Sequence, residues 1–231
     1  MTIKTKRPRR RQNLAYGAGV GAGLLALALF LFPAYEKLHA RGPMNAGHED
    51  LKCASCHKDA PGNARQQIQA NLRFILGQRQ TPADFGHGDV GNEICLACHE
   101  RPNDRHPVYR FLEPRFAKVR LKLHPEACLS CHAEHTGKRV TLGEAGYCVN
   151  CHKETKLRKD PVDVPHERLI ALRLWETCLG CHDFHGNHIM KTAKMVENAI
   201  SRERIRAYFE GGPSPFGEER YHKAKKEVED G

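Results

Sequence analysis

The chain has 231 residues, a length that allows one or two ordinary domains. Hydrophobic residues make up 40% and aromatic residues 7%, with a mean hydropathy of −0.61. Much of the apolar content lies in one N-terminal block, so the remainder is too poor in apolar side chains to fill a large conventional core. The formal net charge is +10, but Lys4, Lys6, Arg7, Arg9, Arg10 and Arg11 supply +6 of it with no acid among them, leaving +4 for all the rest. With no recognition-helix pattern and no aromatic–basic interleaving, that balance gives no reason to expect a nucleic-acid partner.

Residues 1–11 read as a basic cytoplasmic leader. Residues 12–35, QNLAYGAGVGAGLLALALFLFPAY, carry no charge over 24 positions. A helix of that length reaches about 36 Å, enough to cross a hydrocarbon core. The cations before it should stay in the cytoplasm, which places the chain from about residue 36 onward outside, on the periplasmic face of a bacterial inner membrane. A cleaved signal peptide is the rival reading. Against it, the apolar run is longer than a usual signal core and no clear A-x-A site follows. Gly17/Gly21 and Gly19/Gly23 form overlapping small-xxx-small pairs, a spacing that permits close packing against another membrane helix.

All ten cysteines fall in five CxxC pairs, each followed at once by histidine: CASCH (53–57), CLACH (95–99), CLSCH (128–132), CVNCH (148–152) and CLGCH (178–182). With 15 histidines in the chain, five such coincidences have a chance of about one in a million if placed at random. CxxCH is the attachment pattern of c-type haem. The two thiols form thioethers to the haem vinyl groups, and the adjacent histidine comes beneath the iron. The thioether residues are therefore Cys53, Cys56, Cys95, Cys98, Cys128, Cys131, Cys148, Cys151, Cys178 and Cys181. The proximal ligands are His57, His99, His132, His152 and His182, and the cofactor is five covalently bound haem c. Structural zinc sites need such pairs to combine in fours, which five pairs do not allow. A thioredoxin-type redox role needs a βαβ context that is missing, and CxxC disulfides close loops too short to staple a fold.

An electron-transferring haem iron usually takes six ligands, so five distal partners are needed. His48, His87, His124 and His166 each stand a short way before a motif, and His135 follows His132 by three residues. These five form the expected distal set. His185, with the same spacing from His182, is the first reserve, followed by His106 and His188. A histidine three residues beyond a proximal ligand should reach a neighbouring haem rather than its own. His39 and His222 read as ordinary surface residues.

The CxxCH motifs together with His48, His87, His124, His135 and His166 resemble the class III type of multihaem c cytochromes over roughly residues 45–190. The resemblance implies haems packed against one another in a compact, largely irregular fold with few short helices, all bis-histidine ligated, here preceded by one transmembrane helix. Five motifs behind one anchor also look like the pentahaem subunit of alternative complex III. A further similarity is to the membrane-anchored quinol dehydrogenases of nitrate and nitrite respiration, from which the fifth motif is a departure. The implied role is electron transfer between a membrane quinol-oxidising, respiratory partner and a periplasmic or membrane acceptor, without catalysis of its own. The alternative is a quinol dehydrogenase in its own right. Expected partners are the membrane, other respiratory-complex subunits, redox proteins and, for the alternative, quinol.

Gaps of 37, 28, 15 and 25 residues separate successive motifs, too short for independent domains, so residues 36–188 should form one pentahaem domain. The third and fourth haems, with only 15 residues between their motifs, should be close neighbours. Short helices are expected in 61–80 and 107–124, interrupted by Pro82, Pro102, Pro107, Pro114 and Pro125. Ile189, Ala193, Val196 and Ile200 recur at helical spacing, so residues 189–212 should form an amphipathic helix ended by Gly211–Gly212. Residues 213–231 form a charged tail.

Overall fold

The computed structural model describes residues 8–31, 40–101, 104–142 and 145–218. His39, His222 and most of the charged tail lie outside these residues, as does the junction at 32–35. The chain divides into two compact units, Met1–Pro43 and Met44–Gly231.

The first unit holds α1 (Pro8–Leu31), which starts before the uncharged stretch and takes in Arg9–Arg11. Residues 9–29 are long and apolar enough to cross a membrane, and none of that span is buried within the protein. A Cβ at Gly17, Gly19, Gly21 or Gly23 would meet nothing within 4 Å, so this helix face is open.

The second unit has no strands among its described residues. It is built from short helices and irregular segments, with one isolated bridge between Asp59 and His87. Four of the five haem motifs fold as single helical turns or helix ends: α2 (Cys53–Cys56), α4 (Asn92–Cys98), α6 (Val149–His152) and α8 (Cys178–Cys181). The motif at Cys128–His132 is a 3₁₀ turn. The cause is local. The proximal histidine donates its N–H to the carbonyl of the first cysteine, at 2.8 Å for His57–Cys53, His99–Cys95 and His182–Cys178, and 3.0 Å for His132–Cys128. One closed turn puts positions i, i+3 and i+4 on the same side, which is where two thioethers and an iron ligand must sit together.

The remaining helices are α3 (Ala64–Ile75), α5 (Ala117–Leu123), α7 (His166–Ala171) and α9 (Arg202–Phe209). α3 opens with a capping box in which Asn63 and Gln66 exchange side-chain and backbone hydrogen bonds. Its inward face is polar. Gln67 is buried and bonds the carbonyls of Ala60 and Gly62 and the N–H of Gly86, while Asn71 bonds both backbone groups of Ala83. Ile68, Leu72 and Ile75 on the same helix face outward.

The helix expected over 189–212 is shorter: only Arg202–Phe209 is α-helical, capped by Ser201. Residues 189–200 are held by other partners. The N–H of Ile189 bonds the Glu218 carbonyl, that of Val196 the Asp163 side chain, and that of Ile200 the Gly180 carbonyl, so their backbone groups serve tertiary bridges in place of a helical ladder. The start of the charged tail is likewise fixed, because Phe216 is buried.

The hydrophobic core is small and C-terminal. Leu179, Ile205, Phe209 and Phe216 pack together with Val140, Phe184, Met190, Ile200 and Tyr208. Arg139 locks this lobe by donating to the carbonyls of Tyr208 and Gly212 at 2.7 Å, with its guanidinium over the Tyr208 ring. Asp183, also buried, accepts from the His188 ring and backbone. α8 enters the lobe so closely that a Cβ on Gly180 would lie 2.7 Å from the Ile200 carbonyl oxygen. Gly180→Ala is therefore expected to destabilise the haem-loaded protein by about 1–3 kcal/mol, read from its denaturant midpoint, because backbone and not a movable side chain must give way. An unchanged midpoint would show that the contact relaxes freely.

Candidate haem-binding sites

Sites 1 to 5 are numbered by motif in chain order. Two metal–imidazole bonds of about 2.0 Å, plus about 1.1 Å from each nitrogen to its ring centre, put trans histidine ligands about 6.2 Å apart centre to centre. The chain meets that spacing at every proximal histidine. His99 faces His48 at 5.9 Å, His132 faces His185 at 6.1 Å, His152 faces His106 at 6.2 Å, and His182 faces His166 at 6.2 Å. His57 has two neighbours, His135 at 6.1 Å and His87 at 5.6 Å.

The histidines opposite the motifs are aimed through their other ring nitrogen. Nδ1 of His48 meets Glu134 at 2.6 Å, that of His166 meets Asp160 at 2.9 Å, and that of His185 meets Asp104 at 3.0 Å. Nδ1 of His106 bonds the Phe184 carbonyl, and that of the proximal His132 bonds the Arg139 carbonyl at 2.7 Å. Holding Nδ1–H in this way fixes the tautomer and turns the Nε2 lone pair toward the partner ring, the usual arrangement behind a metal-bound histidine. Burial pushes His106, His132 and His182 down from the ordinary imidazole range, which favours the neutral form a metal requires. The Glu134 hydrogen bond instead holds His48 up, so metal binding there displaces a proton.

The interlocking of distant segments follows from a few contacts. Asn45 is buried and reaches across to Ala133 and Thr136, which brings His48 beside Glu134. Asp104–His106 and Phe184–His185 clasp one another: Arg105 donates its N–H to the His185 carbonyl, and the His106 and Phe184 rings stack at 4.2 Å. This one clasp supplies ligand candidates to sites 3 and 4 together. Burial alone would raise the Asp104 carboxyl, but the hydrogen bond and charge of His185, the His106 N–H and the Arg101 charge together outweigh it and hold the group below its usual range. Asp104→Asn should therefore leave His185 in place but loosen it, making the ferric site 3 about 10–100-fold more open to added cyanide. Cyanide titration of the haem-loaded protein reads this directly, and an unchanged affinity would remove Asp104 from that role.

The thiols reveal which sites adjoin. Cys95 lies beside Cys128 and Cys148 beside Cys178, near enough for the sulfurs of each pair to act on one another, and Asn92 of α4 ties itself to the third motif through the Glu126 carbonyl and the Cys128 N–H. Sites 2 and 3 are thus side by side, as are sites 4 and 5. Tyr147, half-buried and pushed upward by its partial burial, lies near Cys131, Cys148 and Cys178 and so stands between sites 3 and 4.

Four members of the expected distal set, His48, His87, His135 and His166, are brought to motif histidines. His124 is not among the paired rings: its side chain is 63% exposed and its Nδ1 lies 3.2 Å from Glu126. It caps α5 in a left-handed conformation (φ 47°), which turns it away from the motif it precedes. His106 and His185 stand opposite motif histidines in addition. The spacing from His182 marked His185 in the sequence, whereas nothing local marks His106, which lies 46 positions before His152. His188 belongs to the C-terminal lobe, bonded to Asp183 and packed on Phe216.

The residues present suit covalently attached haem: paired cysteines on one turn, a histidine beneath, and a second imidazole at the right distance. Residues 46–153 match the family model for cytochrome c3. That segment, 108 of the 231 residues, is similar to multihaem c-type cytochromes. It takes in motifs one to four and His48, His87, His106, His124 and His135; the fifth motif lies beyond it. The class is one of electron-transfer proteins with covalent c-type haem. No curated protein and no solved structure is matched by the chain.

Proposed function

We propose that the protein is a membrane-anchored pentahaem c-type cytochrome, held by α1 with its haem domain on the periplasmic side. In this role it relays electrons from a quinol-oxidising membrane partner to a periplasmic or membrane acceptor. Bound haem supplies reversible one-electron chemistry at iron. The observation that carries the reading is that each of five CxxCH histidines has another histidine about 6 Å away, so no described site offers the open coordination position a substrate would need. The chain's own part is to fix ten cysteine sulfurs and the imidazoles, to set their second partners, and to place the sites edge to edge. The pairs Cys95/Cys128 and Cys148/Cys178 support short steps between sites, and Tyr147 supports continuity between the two pairs.

The test is a haem count and a ferric EPR spectrum of the purified full chain. Five haems, all low-spin, are expected, whereas a native high-spin signal would sink the reading. The spectra should also separate by ring angle. At site 4 the rings stand at 83°, which brings the iron dπ levels close together and gives a signal with a very large principal g value. At site 3 they stand at 26°, which gives an ordinary rhombic signal. Purification with membrane subunits is expected. Reduction of the isolated protein by quinol would instead make it a quinol dehydrogenase.

A further inference from the structure

Among the described residues, His57 has two imidazoles facing it, His135 and His87. The two differ in character. His135 is 6.1 Å from His57 with its ring within 23° of parallel, and its backbone is held at φ 61°. Its loop is fastened by Asn45, which bonds Ala133 on one side and Thr136 on the other. Its Nδ1 is buried with no hydrogen-bond partner, a costly state for a polar atom unless the ring is held there for another purpose. His87 sits on a glycine-flanked loop between Gly86 (φ 78°) and Gly88, with its side chain 52% exposed. Only a 3.8 Å approach of Asp59 steadies its Nδ1, too long for a hydrogen bond. Its ring is 5.6 Å from His57 and tilted by 49°.

An iron bound to His57 has one remaining axial position, so the two rings compete for it. We propose that site 1 has alternative axial ligands: His135 in the resting protein, and His87 as a substitute able to take the position when His135 is absent. Both donate neutral imidazole nitrogen, so the exchange keeps the iron six-coordinate while replacing a buried ligand by a half-exposed one. The inference rests on the reading of five bis-histidine sites, and it expects site 1 to survive loss of its distal ligand.

The experiment compares ferric EPR and near-infrared magnetic circular dichroism of haem-loaded full-length protein as wild type, His135→Ala, His87→Ala and the double variant. Haem content is measured in each. His87→Ala is expected to leave the spectrum unchanged. His135→Ala should stay low-spin with shifted g values for one haem, because the ring angle changes from 23° to 49°. The double variant should show one high-spin haem in five. One high-spin haem in either single variant would overturn the proposal, since the other histidine then fails to substitute. A wholly low-spin double variant would also overturn it, by removing both residues from the iron. A high-spin haem already present in the wild type would instead defeat the five-site reading itself. If His135→Ala does not accumulate, His135→Asn, which keeps a polar group of similar bulk on the loop, serves the same comparison.

Discussion

A chain with its ten motif cysteines replaced by serine, and so without attached haem, is expected to lose its cooperative thermal transition and to become open to protease throughout residues 44–200. Among the described residues, only Ala60, Phe111, Leu179, Ile205, Phe209 and Phe216 are buried hydrophobics, and no large side chain is fully buried. Each such side chain contributes about 1.5–3 kcal/mol at most. Every ordered residue costs about 1–2 kcal/mol of backbone entropy. Six side chains do not order a unit of this size, so the porphyrin faces must supply the missing apolar contact. Circular dichroism melts and limited proteolysis in detergent check the expectation. A sharp melt in the serine variant would show that the polypeptide core suffices. The one region expected to resist longest is the lobe around Arg139, Phe209 and Phe216, where side chains pack on each other.

The second large effect separates histidines that look alike in the sequence. His185→Ala is expected to convert one haem in five to the high-spin form while all five stay attached, because Cys128, Cys131 and His132 are untouched. His124→Ala is expected to convert none, since that ring faces solvent and Glu126. The same spectra measured on both variants decide it. A high-spin signal from His124→Ala, or none from His185→Ala, would reverse the pairing at site 3.

The five CxxCH motifs are legible in the sequence because their spacing is fixed within five positions, and the structure folds each of them as a single turn or helix end. The helical turn that sets this spacing is a local structure. The mostly irregular, helix-poor class was legible too, as what the resemblance to multihaem cytochromes implies, in keeping with the scattered prolines and the thin apolar content. The histidines that face the motifs were less so, because those approaches are set by contacts between segments far apart in the chain. His106 reaches site 4 only because Asp104–His106 clasps Phe184–His185, an arrangement invisible in either segment alone. His124 misled by its nearness to Cys128; its left-handed backbone turns the ring outward. The C-terminal periodicity was real, but between Ile189 and Ile200 tertiary backbone bonds outcompeted the helix.

On the proposed reading the pairings would also order events in time: a chain exported from its N-terminus would present its ligands in sequence. His48, His106 and His166 emerge before the motifs they face, so sites 2, 4 and 5 find a distal imidazole already waiting. Sites 1 and 3 must wait, since His135 follows His57 by 78 positions and His185 follows His132 by 53. His87 emerges 48 positions ahead of His135. During that interval the proposed substitute, His87, would already be available to an iron at site 1, so the same residue that backs up His135 in the finished protein would precede it during assembly.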